Sequence, residues 1–321
     1  MVYFTIGTDL EVFGKVGHKH VALCGKIGGT KEAPRQLEGM PSGFMVQEDN
    51  VSLEFNIPPS DNIYDFSNHV DAMAGKVRTI LSSLGLEPST HAAVSFDTQE
   101  LTHPNALVFG CEPDYNAWTK RENEKPHAKD KNLRTAGGHI HVGTGEIDML
   151  DGIRAMDLYL GVPSVILDDS PASVLRRELY GKAGAMRPKP YGFEYRTLSN
   201  FWMFDPRLTQ WVFNNTALAM DRVFNQKAHR NQLTVAEGEV IQRCINTGDK
   251  ALAKELIDKY NIPMPAATVK TRVRRPNFDD YVASRTVKNV AGLSWTVAPP
   301  PPPPPLEFVP TNGVVVGDTT A

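Results

Sequence analysis

The chain lacks most of the features that would place it in a specialised class. It has no run approaching about 18 apolar residues, so nothing in it reads as a membrane span. Its opening, MVYFTIGTDLEVF, has no basic stretch leading into an apolar one, so no signal peptide is expected. Its three cysteines, Cys24, Cys111 and Cys244, are an odd number at unrelated spacings. That argues against a disulfide framework and for reduced thiols in a cytoplasmic setting. An excess of one charge is missing too: 34 Lys plus Arg against 37 Asp plus Glu leave a formal net charge of −3. A chain this neutral is not built mainly to neutralise nucleic-acid phosphate. The signatures GxxxxGK[ST], HExxH and GxSxG are absent, and no Cys/His pair reads as a nucleophile arrangement. Residues 25–30, GKIGGT, are glycine-rich but lack phosphate-loop spacing and read as a loop.

What is present divides the chain in two. The seven consecutive prolines at 299–305 cannot enter a helix or a sheet ladder and favour polyproline II. The stretch 266–298 carries the basic cluster Lys270, Arg272, Arg274 and Arg275 with little periodicity. Residues 266–321 therefore read as a flexible, proline-rich tail, and residues 1–265 as one folded catalytic domain. Within 1–265, strands are expected at 2–13, 44–57, 137–143 and 191–198. Apolar residues at 63, 66, 70, 73, 77, 80, 81 and 84 keep close to a 3.6 period and predict a helix over 63–84, capped by Asp61 or Asn62. Further helices are expected over 148–168, 206–226, 235–246 and 249–260, the second of these with Pro206 in its first turn. The fold class is α+β, an antiparallel sheet with helices packed on one face.

Period-two alternation supplies the functional signal, because residues i and i+2 of a strand share a face. Asp9 and Glu11 share a face of the first strand. In the second, Glu48, Asn50, Ser52, Glu54 and Asn56 are expected on one face, with Val51, Leu53, Phe55 and Ile57 on the other. His139 and His141 pair in the third, and Glu194 and Arg196 in the fourth. Any one such pair is an ordinary solvated strand face, but four strands with the same pattern form a floor of at least five carboxylates if they are neighbours. Like charges at that density call for bound cations. Oxygen-rich ligands suit Mg²⁺ or Mn²⁺, with the imidazoles favouring Mn²⁺ somewhat, and suit zinc less. Arg187 and Lys189, stiffened by Pro188 and Pro190, add cations close to Arg196. Metals with guanidinium and ammonium groups are the equipment of phosphoryl transfer.

The segments GTDLEVF (7–13), GGTKEAP (28–34), VQEDNVSLEFNIPP (46–59), CEPDYNAW (111–118), GGHIHVG (137–143) and MRPKPYGFEYRTLSNFW (186–202) occur in this order. Together they resemble the phage-type carboxylate–amine ligases (COOH–NH2 ligase type 2) of the glutamine synthetase and glutamate–cysteine ligase superfamily, over roughly residues 1–205. The resemblance implies a curved antiparallel sheet of glutamine synthetase catalytic type. It also implies an ATP-dependent ligase that joins a carboxylate to an amine through an acyl phosphate, with ATP and two or more Mg²⁺ or Mn²⁺ ions as cofactors. Carried onto matching positions, Asp9, Glu11, Glu48, Glu54, His139 and Glu194 are metal ligands, with Glu54 preferred to Glu48. His141 lies close to the nucleotide, Arg196 stabilises the transferring γ-phosphoryl group, and Arg187 and Lys189 hold phosphate or substrate carboxylate. At the first acidic position the relatives often carry Glu, and Asp9 is one methylene shorter.

The partners expected are small-molecule or peptide carboxylates and amines, with no nucleic acid and no membrane. A homo-oligomer fits the resemblance, and so does a cytoplasmic location, the host cytoplasm if the chain is phage-encoded. Two other readings stay open: a metal-dependent hydrolase, for which HxH with carboxylates also suits an activated water, and a non-catalytic phage-associated binding protein, suggested by the tail.

Overall fold

The centre of the molecule is set by one long strand whose alternate residues have opposite characters. In β1 (Thr5–Val16), Ile6, Leu10 and Val12 are fully buried on one face, while Gly7, Asp9 and Glu11 take the other. The computed structural model describes residues 3–107, 114–124, 129–229 and 233–265, apart from the side chains of 226–229. Beside β1 lie β2 (Met45–Asp49), β3 (Ser52–Asn56), β4 (Gly138–Gly143), β5 (Ala185–Lys189) and β6 (Gly192–Tyr195). They form an open sheet in the order β2-β3-β1-β4-β6-β5, every pair antiparallel. Short strands Arg35–Gln36 and Tyr115–Asn116 extend it at the two ends.

The register aligns the polar faces. Asp9 stands opposite both Asn56 and His139, Glu11 opposite Glu54, His141 opposite Glu194, and Glu194 opposite Arg187. Cross-strand partners share a face, so these residues form one continuous polar surface. The opposite, apolar surface carries Leu53, Phe55, Ile140, Val142, Phe193 and Tyr195 and packs under helices. Helix α1 (Ile63–Ser83) contributes Phe66, Val70, Met73, Val77 and Leu81 from its 3.6-residue stripe, and Asn62 caps it by accepting the Asp65 amide. Helix α2 (Met149–Met156) passes through a π turn (Asp157–Gly161) into α3 (Val162–Leu167), followed by α4 (Pro171–Leu179) and α5 (Pro206–His229). Helices α6 (Val235–Thr247) and α7 (Lys250–Tyr260) pack on Leu158, Val162 and Val165 as a second cluster. Thr234 and Glu237 close a capping box on α6.

The fold is thus α+β, a large open antiparallel sheet with helices on one face. Several expectations need correction. The span 44–57 is two strands joined by a turn, with Asn50 in the left-handed region at φ 53°. The expected helix 148–168 is interrupted by the π turn. The strand expected over 191–198 ends at Tyr195, and the proline-stiffened approach holding Arg187 and Lys189 is itself strand β5. Beyond Met186, β5 has a partner on one side only among the described residues, an edge position where Pro188 is accommodated. Helix α4 carries no signal strong enough to have been expected. The tail expected at 266–321 lies outside the described residues. The chain before it is fastened to the core, since Trp211 Nε1 and Asn215 Nδ2 both donate to the Pro263 carbonyl, at 3.1 and 3.0 Å.

Candidate active site

The polar face carries two adjoining clusters. In the first, carboxylate oxygens of Glu11, Asp49 and Glu54 lie within 4.8 Å of one another. Glu11 and Glu54 meet because β1 and β3 pair them directly. Asp49 joins them through the turn between β2 and β3. Cross-hairpin partners there are 47 with 54 and 49 with 52, so odd positions of β2 face even positions of β3. The one-face reading of Glu48 through Asn56 fails for this reason. Glu48 stands opposite Leu53, on the other face, and accepts the backbone amides of Gly25, Ile27 and Gly28 at 2.7, 2.8 and 2.8 Å. Burial opposes its ionised form, but these three amides hold its carboxyl below the usual range. Glu48 moors the glycine-rich loop and is not in the cluster, whose third carboxylate is Asp49.

The first cluster is electrostatically crowded. Burial, helped by the Asp49 carboxylate, pushes Glu11 up to about 7, although the Gly137 amide donates to Glu11 Oε2 at 2.8 Å. Burial and then the Asp9, Asp49 and Glu11 carboxylates push Glu54 well above the ordinary value. Gln47 Nε2 donates to Glu54 Oε1 at 2.9 Å, a neutral donor that leaves the charge in place.

In the second cluster, ligand atoms of Asp9, His141 and Glu194 again lie within 4.8 Å of one another. Asp9 sits between two imidazoles, with His139 Nδ1 3.0 Å from Oδ1 and His141 Nε2 3.1 Å from Oδ2. Burial would raise Asp9, but His141 and His139 hold it well below the usual carboxylate range. Burial likewise disfavours a charged His141, yet Asp9 and Glu194 more than offset this and raise it. His139 goes the other way, pushed down to about 4 by burial and by Arg196. Its ring folds back over the preceding glycine, where a Cβ on Gly137 would lie 2.2 Å from His139 Nε2; that close approach explains the residue type.

Glu194 is completely buried and meets three cations. Arg196 Nη1 hydrogen-bonds its Oε1, Lys189 Nζ lies 2.9 Å from Oε2, and Arg187 Nη1 is 3.8 Å from Oε1. Burial acts to raise its pKa, but Arg196 foremost, with His139 and His141, holds it far below. Arg196 also lies 3.8 Å from Asp114 and 3.5 Å from His139 Nδ1.

Of the residues expected from the sequence, Asp9, Glu11, Glu54, His139, His141, Arg187, Lys189, Glu194 and Arg196 therefore share one face, and Glu48 does not. Asp49 and Tyr191 were missed. Tyr191 Oη hydrogen-bonds His141 Nδ1, and the rings stack at 6.1 Å. Asp49 was legible only to a reading that placed the turn at Asn50-Val51. Nothing in the alternation marks Tyr191, which precedes β6.

The donor set fits divalent cations. Asp9 Oδ1, His141 Nε2 and Glu194 Oε2 are buried and close to charged neighbours, yet none has a partner in hydrogen-bond geometry. Burial first, and like charge after it, raise the carboxyl pKa values of Glu11 and Glu54, so a divalent cation here would stabilise their ionised forms. The sheet face thus offers carboxylates at one end and carboxylate, imidazole and guanidinium at the other, groups able to take cations and anions side by side. Residues 131–268 match the family described as "Phage phiEco32-like COOH.NH2 ligase-type 2", which bears out the resemblance carried by the motifs over that part of the chain. Among solved structures the chain is similar to one titled "Crystal structure of novel glutamine synthase homolog", at 12% identity and a TM-score of 0.39, covering 89% of this chain and 71% of that one. It is also similar to "GmaS/ADP complex-Conformation 1", at 9% identity and a TM-score of 0.33, covering 91% and 71% respectively. No curated protein sequence matches the chain. No helix among the described residues is long and apolar enough to cross a membrane.

Proposed function

We propose that the protein is an ATP-dependent carboxylate–amine ligase that works through an acyl phosphate. The observation that carries the reading is the juxtaposition on one sheet face of Glu11, Asp49 and Glu54 with the Asp9, His141 and Glu194 group and the cations Arg187, Lys189 and Arg196. A free carboxylate is a poor acyl donor because its oxygen leaves badly. Transfer of the γ-phosphoryl group of ATP to a carboxylate oxygen releases ADP and gives an acyl phosphate. The amine nitrogen then attacks the carbonyl carbon, inorganic phosphate departs, and the nitrogen loses a proton.

The two triads, Glu11-Asp49-Glu54 and Asp9-His141-Glu194, would hold Mg²⁺ or Mn²⁺, and His139, neutral above its depressed pKa, borders the second. Bound there, divalent cations neutralise phosphate charge and polarise the phosphoryl oxygens. The chain's own residues do the rest. Arg196 offers a planar fork to equatorial phosphoryl oxygens, where charge develops as the bond to ADP breaks. Lys189 and Arg187 bind phosphate or carboxylate oxygens from β5. Glu194 lies against all three cations, Arg187 and Lys189 on β5 and Arg196 just past the end of β6, and so directs them toward one anionic site. The family match over 131–268 supports the ligase class.

The test is ADP release from ATP and Mg²⁺ across a panel of amines and carboxylates. Amine-dependent ADP release, one for each amide formed, is expected. Hydrolysis of peptides or phosphoesters that proceeds equally well without ATP would overturn the reading in favour of a metal-dependent hydrolase. Binding without turnover would favour a non-catalytic protein.

A further inference from the structure

Beneath the catalytic face, one carboxylate remains that the proposed chemistry does not use. Asp157 is completely buried, in the π turn between α2 and α3. Its oxygens accept from three side chains on different elements: Trp118 Nε1 at 2.7 Å, Tyr195 Oη at 3.0 Å and Thr197 Oγ1 at 3.2 Å. Burial pushes its pKa up to about 7 in spite of these donors. An apolar residue here would avoid that cost, so the group calls for an explanation.

Two of its three donors flank Arg196. By strand alternation Tyr195 and Thr197 point into the helix layer while Arg196 points to the catalytic face. The sheet ladder does not fix this stretch by itself. Strand β6 ends at Tyr195; the Arg196 amide still bonds the Ala185 carbonyl at 3.0 Å, and backbone pairing resumes only at Leu198, whose carbonyl accepts from the Gly138 amide at 3.0 Å. In between, the carbonyls of Arg196 and Thr197 turn to Arg176 Nη2 and Nη1, at 3.1 and 2.9 Å. Side chains therefore help to set where the backbone of Arg196 lies, and Asp157 meets the hydroxyls on both sides of it, the Thr197 hydroxyl also lying 3.1 Å from the Lys182 carbonyl. Asp157 opens the π turn, and such turns recur at functional sites. Gly161, the last residue of that turn, leaves room for the grip: a Cβ there would sit 2.8 Å from Tyr195 Oη.

We propose that Asp157 is a positioning residue for Arg196, holding the 195–197 segment from the helix side so that the guanidinium meets the transferring phosphoryl group. The kinetic part of this inference rests on the ligase reading of Arg196; the geometric part does not. Asp157→Asn keeps the shape but presents an N–H₂ where an acceptor stood, so Trp118, a pure donor, or the two hydroxyls must lose a partner.

The experiment pairs kinetics with the arginine side-chain Nε–H signal of Arg196 in ¹⁵N NMR, assigned by its disappearance in Arg196→Lys. Asp157→Asn is expected to shift or broaden that signal and to lower kcat for ADP release about tenfold or more, with KM for Mg²⁺–ATP changed far less. In an Arg196→Lys background the same substitution should cost little further kcat, because both act through one group. Should Asp157→Asn fold poorly, Tyr195→Phe and Thr197→Val each remove one hydroxyl and should reproduce part of the shift and of the kcat loss. An unmoved Arg196 signal with unchanged kcat, in a variant that merely melts earlier, would show a structural role only and overturn the proposal. So would full additivity with Arg196→Lys. A wild-type protein that releases no ADP would sink the ligase reading instead, while the Arg196 signal would still report on the grip.

Discussion

The two clusters on the polar face handle charge in opposite ways. Glu11, Asp49 and Glu54 crowd one another, and burial together with this crowding raises the pKa of Glu11 and Glu54. Two residues along β1 from Glu11, Asp9 lies between two imidazoles, and on β6 Glu194 lies among three cations; both are held far below the ordinary carboxylate range. The first region carries negative charge that a bound cation would compensate; the second is matched in part by its own imidazole and guanidinium groups. A buried carboxylate alone therefore does not tell how a site handles charge. Its pKa direction, and what supplies the opposite charge, distinguish a cluster that depends on a cation from one that also orients guanidinium and imidazole groups.

The largest effect that would break this contrast is loss of the acidic end. Glu54→Gln or Glu11→Gln removes a charge at nearly constant shape and should abolish measurable Mg²⁺ or Mn²⁺ binding at that cluster. ADP release should fall on the order of 10³-fold. Calorimetric Mn²⁺ titration with and without nucleotide checks it, and unchanged metal dependence in both variants would show that the crowded cluster is not the cation site.

At the compensated end the expected loss is smaller and of another kind. Arg196→Lys keeps the charge but loses the planar fork, so kcat should drop on the order of 10²-fold while ATP-analogue affinity changes little. An equal loss of binding and rate would mean that Arg196 only balances Glu194.

Acidity separates the regions without mutation. Glu11 and Asp157 hold protons near pH 7 in the folded chain, whereas the unfolded chain releases them near pH 4. The folded state thus binds more protons between these values, and the stability they contribute is present at low pH and is lost as pH rises through about 7. Going from about pH 6.5 to 8, the metal-free protein should lose about 1 kcal/mol of unfolding free energy. Raised Glu54 and His141 act in the same direction, and depressed His139 works the other way only below its unfolded pKa of about 6.5. Excess Mg²⁺ should cancel the share of the triad residues and leave that of Asp157, as urea denaturation at the two pH values would show. A loss that Mg²⁺ leaves untouched would place the pH effect outside the acidic cluster.

The smallest effects concern residues that the contrast excludes. Glu48→Gln weakens the mooring of loop 25–28 and should leave metal affinity unchanged, since Glu48 faces away from Asp49 and Glu54. Removing residues 266–321 should leave the melting temperature essentially where it is, because the fastening of the chain at Pro263 is retained. A metal defect in the first, or aggregation of the second, would redraw the site and the domain boundary.

Local periodicity made much of this legible. The helical stripe of α1, the HxH strand between glycines and the i, i+2 pairs Asp9/Glu11 and Glu194/Arg196 depend only on which residue types alternate with which, and the structure keeps them. The order of motifs pointed to the ligase family before any geometry was known. The failures have one cause: a period of two is blind to where a strand turns. Placing the turn at Asn50-Val51 exchanges odd for even positions, sends Glu48 under a loop and brings Asp49 into the site. The π turn at Asp157 likewise leaves no trace in the apolar pattern, because Leu158, Leu160 and Val162 stay buried around it.

The sequence by itself determined the inventory of charges and the face each strand residue would take within its own strand, because both are properties of neighbours along the chain. Only the tertiary structure decided which carboxylates would crowd and which would be matched. That depends on the strand order β2-β3-β1-β4-β6-β5 and on its register, which set Glu11 against Glu54 and Glu194 against Arg187. Electrostatic energy at these distances depends on separation and desolvation, and residues 43 positions apart in the chain, as Glu11 and Glu54 are, acquire both only when the sheet has formed.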